Sequence, residues 1–313
     1  MSEYHIPVLL EESVSALLAN PEGRIYADCT FGGGGHTAAI LSRLQHAGGR
    51  VIAFDRDSDA IEAGRKKFAK EIESGRLTLV HNNFRYIENY AEFYGVHHRL
   101  DGILADLGVS SHQFDTAERG FSFRFDAPLD MRMNREAPKT AADFVGEASE
   151  EDLERVLRLY GEVDGAGKMA RLITGARVRR PVLTTMDLSE AIAPMLPPQA
   201  PHKVLAKVYQ ALRIEVNGEM RSLEKFLEAS VHALAPGGRL VVITYHSLED
   251  RMVKNFMRTG NVDGTVTKDM FGRIIAPLEQ TEKKPVTPTE EEIGRNTRAR
   301  SAKLRTARLK GGQ

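Results

Sequence analysis

The chain has 313 residues, 42% of them hydrophobic, and balances 43 basic against 43 acidic side chains, so it can bury a large core and any polyanion surface must be a local patch. Its one cysteine, Cys29, excludes an internal disulfide and a multi-cysteine metal site, and no disulfide partner is expected. No apolar run approaches the ~20 residues of a membrane span, and "MSEYHIPVLLEESV" lacks a basic region followed by an apolar one, so a soluble, cytoplasmic protein with no membrane contact is expected.

Short apolar runs alternate with helical patterns along the first third. "RIYADCT" (Arg24 to Thr30), "RVIAFDRD" (Arg50 to Asp57), "RLTLVHNN" (Arg76 to Asn83) and "LDGILADLG" (Leu100 to Gly108) read as strands. Between them "HTAAILSRLQ", "DAIEAGRKKFAKEI" and "YIENYAEFYG" read as helices. This β-α-β order with right-handed crossovers predicts an α/β fold with a doubly wound, Rossmann-like parallel sheet.

The strand rhythm then stops until "GRLVVITYHS" (Gly238 to Ser247), which follows the helical "MRSLEKFLEASVHALA". The interval is read as an inserted all-helical domain, giving 1–114 plus 219–313 as one domain and 115–218 as the other. Within the insertion Ser149 with Asp152 reads as a helix cap, Asp187 with Glu190 as another helix start, and "MLPPQAP" as a proline-broken connector. The tail "RNTRARSAKLRTARLK" contains no acid, and its partial alternation at Ala302, Leu304, Thr306 and Leu309 reads as a last strand, against a solvated basic tail.

The stretch "YADCTFGGGGHT" (Tyr26 to Thr37) carries the chemistry. Four glycines between the first strand and first helix let a ligand approach the backbone beside a helix N-terminus, as a nucleotide-like cofactor requires. Gly33, Gly35 and Ala38 satisfy the G-x-G-x-x-A form of a nicotinamide-dinucleotide site, while Asp28, Gly32 and Gly34 give the D-x-x-x-G-x-G spacing of S-adenosylmethionine methyltransferases. Asp55, at the end of the second strand, suits a ribose diol in either case. Asp106, closing the fourth strand, tilts the choice to methyl transfer.

Longer strings narrow the reading. "DLGVSSHQFDTAERGFSFRFDAPLDMRM" (Asp106 to Met133), "QALRIEVNGEM" (Gln210 to Met220), "YHSLEDRMVKNFM" (Tyr245 to Met257) and "NTRARSAKLR" (Asn296 to Arg305) closely resemble the MraW (RsmH) family of bacterial 16S rRNA cytosine-N4 methyltransferases, over essentially the full chain. The resemblance implies a class I S-adenosylmethionine methyltransferase fold with an inserted substrate-recognition domain. It also implies N4-methylation of cytidine 1402 in the decoding region of 16S rRNA, with S-adenosyl-L-methionine as cofactor and the small ribosomal subunit as partner.

By the same resemblance, Gly34, Gly35, His36, Asp55, Phe84, Asp106 and Gln113 hold the cofactor. The target amine is a poor nucleophile because its lone pair is conjugated into the ring, so an acceptor must polarise it. Asp106 is the leading acceptor, with Ser110 and Ser111 as helpers. Taken alone, Phe84 reads as core, His36 as a helix cap and Cys29 as a small buried hydrophobe.

"YHSLEDR" invites a Ser-His-acid nucleophile, but Ser247 with Asp250 reads better as a cap. No histidine or carboxylate spacing predicts a metal site. Phosphate contacts are sought in Lys168, Arg171, Arg177, Arg179 and Arg180, in the C-terminal arginines, and in Arg119, Arg124, Arg132 and Arg135. The chain departs from the usual family pattern at "LAKVYQALRI", where Lys207, Val208 and Tyr209 stand for Arg, Thr and Phe. A nicotinamide oxidoreductase and a non-catalytic rRNA-binding or assembly protein are the other function classes, and a homodimer is left open.

Overall fold

The structure, a computed structural model, describes residues 7–44 and 48–311. The chain divides into two compact units, Met1–Gly108 with Met220–Gln313, and Val109–Glu219. The break falls before the expected residue 115 because Val109 already packs on the helical unit's core.

The first unit begins with α1 (Leu10–Leu17), β1 (Ile25–Asp28), α2 (Gly35–Arg43), β2 (Arg50–Asp55), α3 (Ser58–Lys67), α4 (Ala69–Glu73), β3 (Leu77–His81), α5 (Ile87–Phe93) and β4 (Leu100–Asp106). The second carries α6 (Ser111–Asp115), α7 (Ala141–Glu147), α8 (Glu150–Gly161), α9 (Ala166–Arg179), α10 (Thr185–Ile192) and α11 (Pro201–Asn217). The chain closes with α12 (Glu219–Ala233), β5 (Leu234–Thr244), α13 (Ser247–Thr259), β6 (Leu278–Gln280), α14 (Glu290–Arg295) and β7 (Lys303–Leu309). Gln45, at the end of the expected first helix, and the first six residues lie outside the described residues.

The strands form one sheet in the order β3-β2-β1-β4-β5-β7-β6. The first five are parallel, with Tyr26 opposite both Val51 and Gly102, and Asp106 opposite Ile243. β7 runs antiparallel between β5 and β6. The continuous apolar runs follow from covering on both faces. Ala27, Ile52, Phe54, Ile103, Ala105 and Val242 face one core with α5, α12 and α13, while Tyr26, Val51, Ala53, Leu104 and Val241 face the other with α1 and α2.

Three local differences from the sequence reading have physical causes. The single helix expected over Asp59 to Ile72 breaks at Phe68, whose ring turns inward to meet Phe31 edge-on at 5.8 Å. The helix expected to start at Asp187 starts three residues earlier: Thr184 is the cap, and Asp187 completes the box by accepting the Thr184 amide at 3.0 Å. The cap of α13 is His246, not Ser247, because Nδ1 of the imidazole accepts the Glu249 amide at 3.4 Å.

The acid-free tail enters the sheet as β7, and the charges on that strand are paired within the unit. Arg305 donates to Asp250 at 2.7 and 3.2 Å, Lys303 reaches the same carboxylate at 3.3 Å, and Arg308 pairs with Glu279 at 2.8 Å. β6 went unread because three residues carry no periodicity.

In the helical unit, Ser149 caps α8 by accepting the Asp152 amide at 3.0 Å, as its spacing predicts. Leu153, Val156 and Leu157 then face α9 and α11 through Met169, Ile173 and Leu212 in one buried core.

Candidate active site

Strand order reverses between β1 and β4, so their carboxyl ends flank the crevice where an open parallel sheet receives ligands. Three carboxylates close strands there: Asp28 on β1, Asp55 on β2 and Asp106 on β4.

Asp28 is fully buried and fastens the loop. It accepts the Thr37 hydroxyl at 2.6 Å and the Thr30 amide at 3.2 Å, while burial pushes its pKa up. It therefore ties β1 to the first turn of α2.

Asp55 accepts the Gly32 amide on Oδ2 at 2.8 Å and the Asp57 amide on Oδ1 at 2.9 Å. A carboxylate offers about four lone-pair sites, so both oxygens keep acceptor capacity for a pair of hydroxyls. Burial raises its pKa to about 6, against the lowering effect of those amides.

The glycine run is shaped from inside the protein at some positions and open at another. Gly34 caps α2 at φ +72°, and a Cβ there would stand 2.6 Å from Phe68 and 2.9 Å from Phe31. A Cβ on Gly35 would stand 2.2 Å from Pro7. At Gly33 it would meet no atom within 4 Å, so the space beside its Cα is open, while its carbonyl accepts from Lys67 Nζ at 2.8 Å.

His36 follows, 5% exposed, with Nδ1 3.9 Å from Asp106 Oδ2 and Nε2 buried without a hydrogen-bond partner among the described residues. Burial lowers its pKa, although Asp106 opposes this, so the neutral ring is favoured.

Asp106 is 21% exposed at its side chain. Its amide donates to Thr30 Oγ1 at 2.6 Å, and its Oδ1 accepts the Tyr245 hydroxyl at 2.7 Å. Burial raises its pKa to about 6, with His36 and Tyr245 lowering it and Asp28 and Glu249 raising it. Tyr245 and Glu249 were missed in the sequence. Only the pairing of β4 with β5 brings them there: Tyr245 stands two residues past Ile243, the register partner of Asp106.

Phe84 opens a short 3-10 turn after β3, where Asn83 accepts the Arg85 amide at 3.0 Å and donates to Ser222 at 3.2 Å. Its ring meets Phe226 edge-on at 5.0 Å and packs on the core while remaining partly exposed.

Ser110, Ser111 and Gln113 belong to the helical unit, where they start α6. Ser110 Oγ accepts the Gln113 amide at 3.2 Å, and Gln113 Oε1 accepts the Ser110 amide at 3.1 Å. Both thus have a capping role that the sequence reading did not assign.

Several arginines sought as phosphate contacts have partners within the fold. Arg177 donates to the Val145 carbonyl at 2.6 Å, and Arg180 pairs with Asp187. Arg132 grips Asp130 at 2.7 and 2.9 Å, and buried Arg119 donates to the Arg132 carbonyl at 2.9 Å. Lys168 and Arg179 are exposed on α9. Among the described residues no cluster of three or more His, Cys, Asp or Glu side chains gathers as a metal site, and no helix is long and apolar enough to cross a membrane.

Ser247 and Asp250 form no nucleophile with His246. His246 Nε2 lies 3.1 Å from Glu249, and Asp250 faces β7.

Residues 2–310 match the MraW methylase family. Among curated proteins, "Ribosomal RNA small subunit methyltransferase H" of Bacteroides fragilis (strain YCH46) is 52% identical over 307 residues, covering 98% of each chain. The proteins of the same name from Phocaeicola vulgatus and Cytophaga hutchinsonii are 51% and 49% identical over 304 residues, covering 97% of this chain and 97% and 99% of theirs.

Proposed function

The chain belongs to the MraW methylase family, and we propose that it methylates N4 of a cytidine in the decoding region of 16S rRNA, cytidine 1402 by the family resemblance. At the coarser level it is an S-adenosylmethionine-dependent methyltransferase of small-subunit ribosomal RNA.

The residues present fit the cofactor. Asp55 offers acceptor sites on both oxygens for the ribose hydroxyls, Gly33 leaves space beside its Cα, and His36 Nε2 is a buried polar atom without a hydrogen-bond partner among the described residues. We assign Gly34 and Gly35 to shaping the loop, Phe84 to the adenine end, and Asp106 to the reacting end. When bound, S-adenosylmethionine supplies an electrophilic methyl on a positive sulfur.

The chain then has one chemical task, to make an amide-like amine nucleophilic in a fixed position. Asp106 Oδ2 accepts an N–H of the amine and stabilises the positive charge that grows on nitrogen. With a pKa near 6, Asp106 is mostly ionised at neutral pH and able to accept.

Removing the cytosine from its stack costs a few kcal/mol, offset by phosphate contacts from exposed cations such as Lys168 and Arg179 on the helical unit, which we assign to substrate recognition. The reaction is placed in the cytoplasm, where small subunits are assembled.

The observation that carries this reading is Asp106 at the switch point, with one oxygen held and the other turned to the glycine loop's histidine. The test is transfer of an isotope-labelled methyl group to small subunits lacking the modification, with nuclease digestion and mass spectrometry of the nucleosides. Label in N4-methylcytidine supports it. Label in another nucleoside, or none despite cofactor binding, refutes it and favours another target or a binding-only role.

A further inference from the structure

Resting on the methyl-transfer reading above, we propose that Tyr245 is a positioning residue for the reaction: its hydroxyl occupies Asp106 Oδ1 and so presents Oδ2 to the acceptor amine.

Tyr245 is fixed at both ends. Its amide donates to Glu249 Oε2 at 2.9 Å, and Glu249 is itself only 2% exposed on the first turn of α13. Its hydroxyl donates to Asp106 Oδ1 at 2.7 Å. Its ring lies 3.4 Å from where a Cβ on Gly108 would stand, so the residue just past β4 leaves the ring its place. The backbone of Asp106 is held separately, by Thr30 at 2.6 Å.

The two carboxyl oxygens are thereby made different. Oδ1 has a donor, whereas Oδ2 accepts no hydrogen bond within this unit among the described residues and stands 3.9 Å from His36 Nδ1. A free carboxyl rotates about a broad two-fold torsion, and a single strong donor removes that freedom.

The donor also opposes an unfavourable setting. Asp28 from β1 and Glu249 from α13 act on Asp106 with negative charge, His36 from α2 opposes them, and Glu292 from α14 adds negative charge near Tyr245. A phenol donating to the ionised carboxyl favours the form that can accept from the amine. Tyr245 itself stays neutral, since burial drives its pKa well above the ordinary value.

Tyr245→Phe removes only the oxygen. The expected result is a kcat about tenfold lower at pH 7 with KM for S-adenosylmethionine nearly unchanged, and an acidic limb of the kcat–pH profile moved up by about one unit. Replacing Tyr245 with a mono-fluorinated tyrosine, a stronger donor on the same ring, should move that limb down, and this arm decides alone if the phenylalanine variant does not fold. A structural role would lower stability without moving the limb in opposite directions, so an unmoved limb overturns the proposal.

Asp106→Asn separates the two levels. If that variant still methylates at the wild-type rate, the assignment of Asp106 fails and takes this proposal with it. If it is inactive while Tyr245→Phe keeps the wild-type pH profile, only the role of Tyr245 is lost.

Discussion

The Gly32 amide donates to Asp55 Oδ2 across 2.8 Å, so the loop after β1 is held by the residue that closes β2. One carboxylate thus shapes the glycine loop and still offers lone pairs to a ligand. Asp55→Asn retains the shape but weakens both functions. Charge-assisted bonds of ~1.5 to 3 kcal/mol imply S-adenosylhomocysteine binding roughly 10- to 100-fold weaker by calorimetry. Unchanged affinity would remove Asp55 from the site.

Asp55 and Asp106 give the free protein a recognisable pH response. Burial raises both to about 6, above the ordinary carboxylate value of 3.8, so between these limits the folded state binds more protons than the unfolded one. Their stabilising contribution is complete below about pH 4 and is lost as pH rises through about 6. The difference in urea-unfolding free energy between wild type and Asp55→Asn/Asp106→Asn should therefore shift across pH 4 to 7, by about 2 kcal/mol per site. A constant difference across that range contradicts the assignment.

Gly34 and Gly33 should respond oppositely to alanine. At Gly34 the left-handed backbone and the closeness of Phe31 and Phe68 predict a loss of about 2 to 4 kcal/mol. At Gly33 the new methyl group has room, so stability should change by less than about 0.5 kcal/mol while cofactor affinity falls. Equal melting temperatures for the two variants would refute this division.

Asp250 was read as a helix-capping residue, yet it anchors β7 through Arg305, whose side chain is 8% exposed. Asp250→Ala leaves that guanidinium buried without its main partner and should cost about 3 kcal/mol. Adding Arg305→Met should restore most of the loss, because an apolar side chain of similar length needs no counter-charge. Denaturant titration of the single and double variants checks both steps.

For RNA, exposure separates the basic residues that sequence alone grouped together. Lys168→Ala/Arg179→Ala should weaken small-subunit binding and reduce its salt dependence with no change in melting temperature. Arg177→Ala should instead lower the melting temperature, because it releases the Val145 carbonyl. Filter binding across a salt series and thermal unfolding distinguish these outcomes.

The five parallel strands were legible because each is a continuous apolar run closed by a polar residue, and Asp28, Asp55 and Asp106 mark three of those closures. The last strand was legible from Ala302, Leu304 and Thr306, but its neighbours were not, since pairing with β5 and β6 is a long-range choice. Helix starts were less secure. Thr184 and Ser110 cap through boxes whose third residues are Asp187 and Gln113, and His246 displaces the more usual Ser247 as a cap. In the site, Asp106 could be placed from its strand, whereas Tyr245 depended on register. The basic clusters misled because a charge run records no partners: Arg177, Arg180, Arg305 and Arg308 all meet acceptors on other elements of the chain.

The interruption of the first unit after Gly108 also orders events during synthesis. β4 emerges from the ribosome with β1, β2 and β3 behind it, but its other edge pairs with β5, which is made only after the whole helical unit. Until then the nascent sheet carries an open, apolar edge at the strand that bears Asp106, the kind of edge that invites wrong partners. The helical unit, whose core is built from its own segment, can fold during this wait. Substitutions that delay its collapse should thus reduce the yield of folded chain in cells more than they reduce the equilibrium stability of the finished protein.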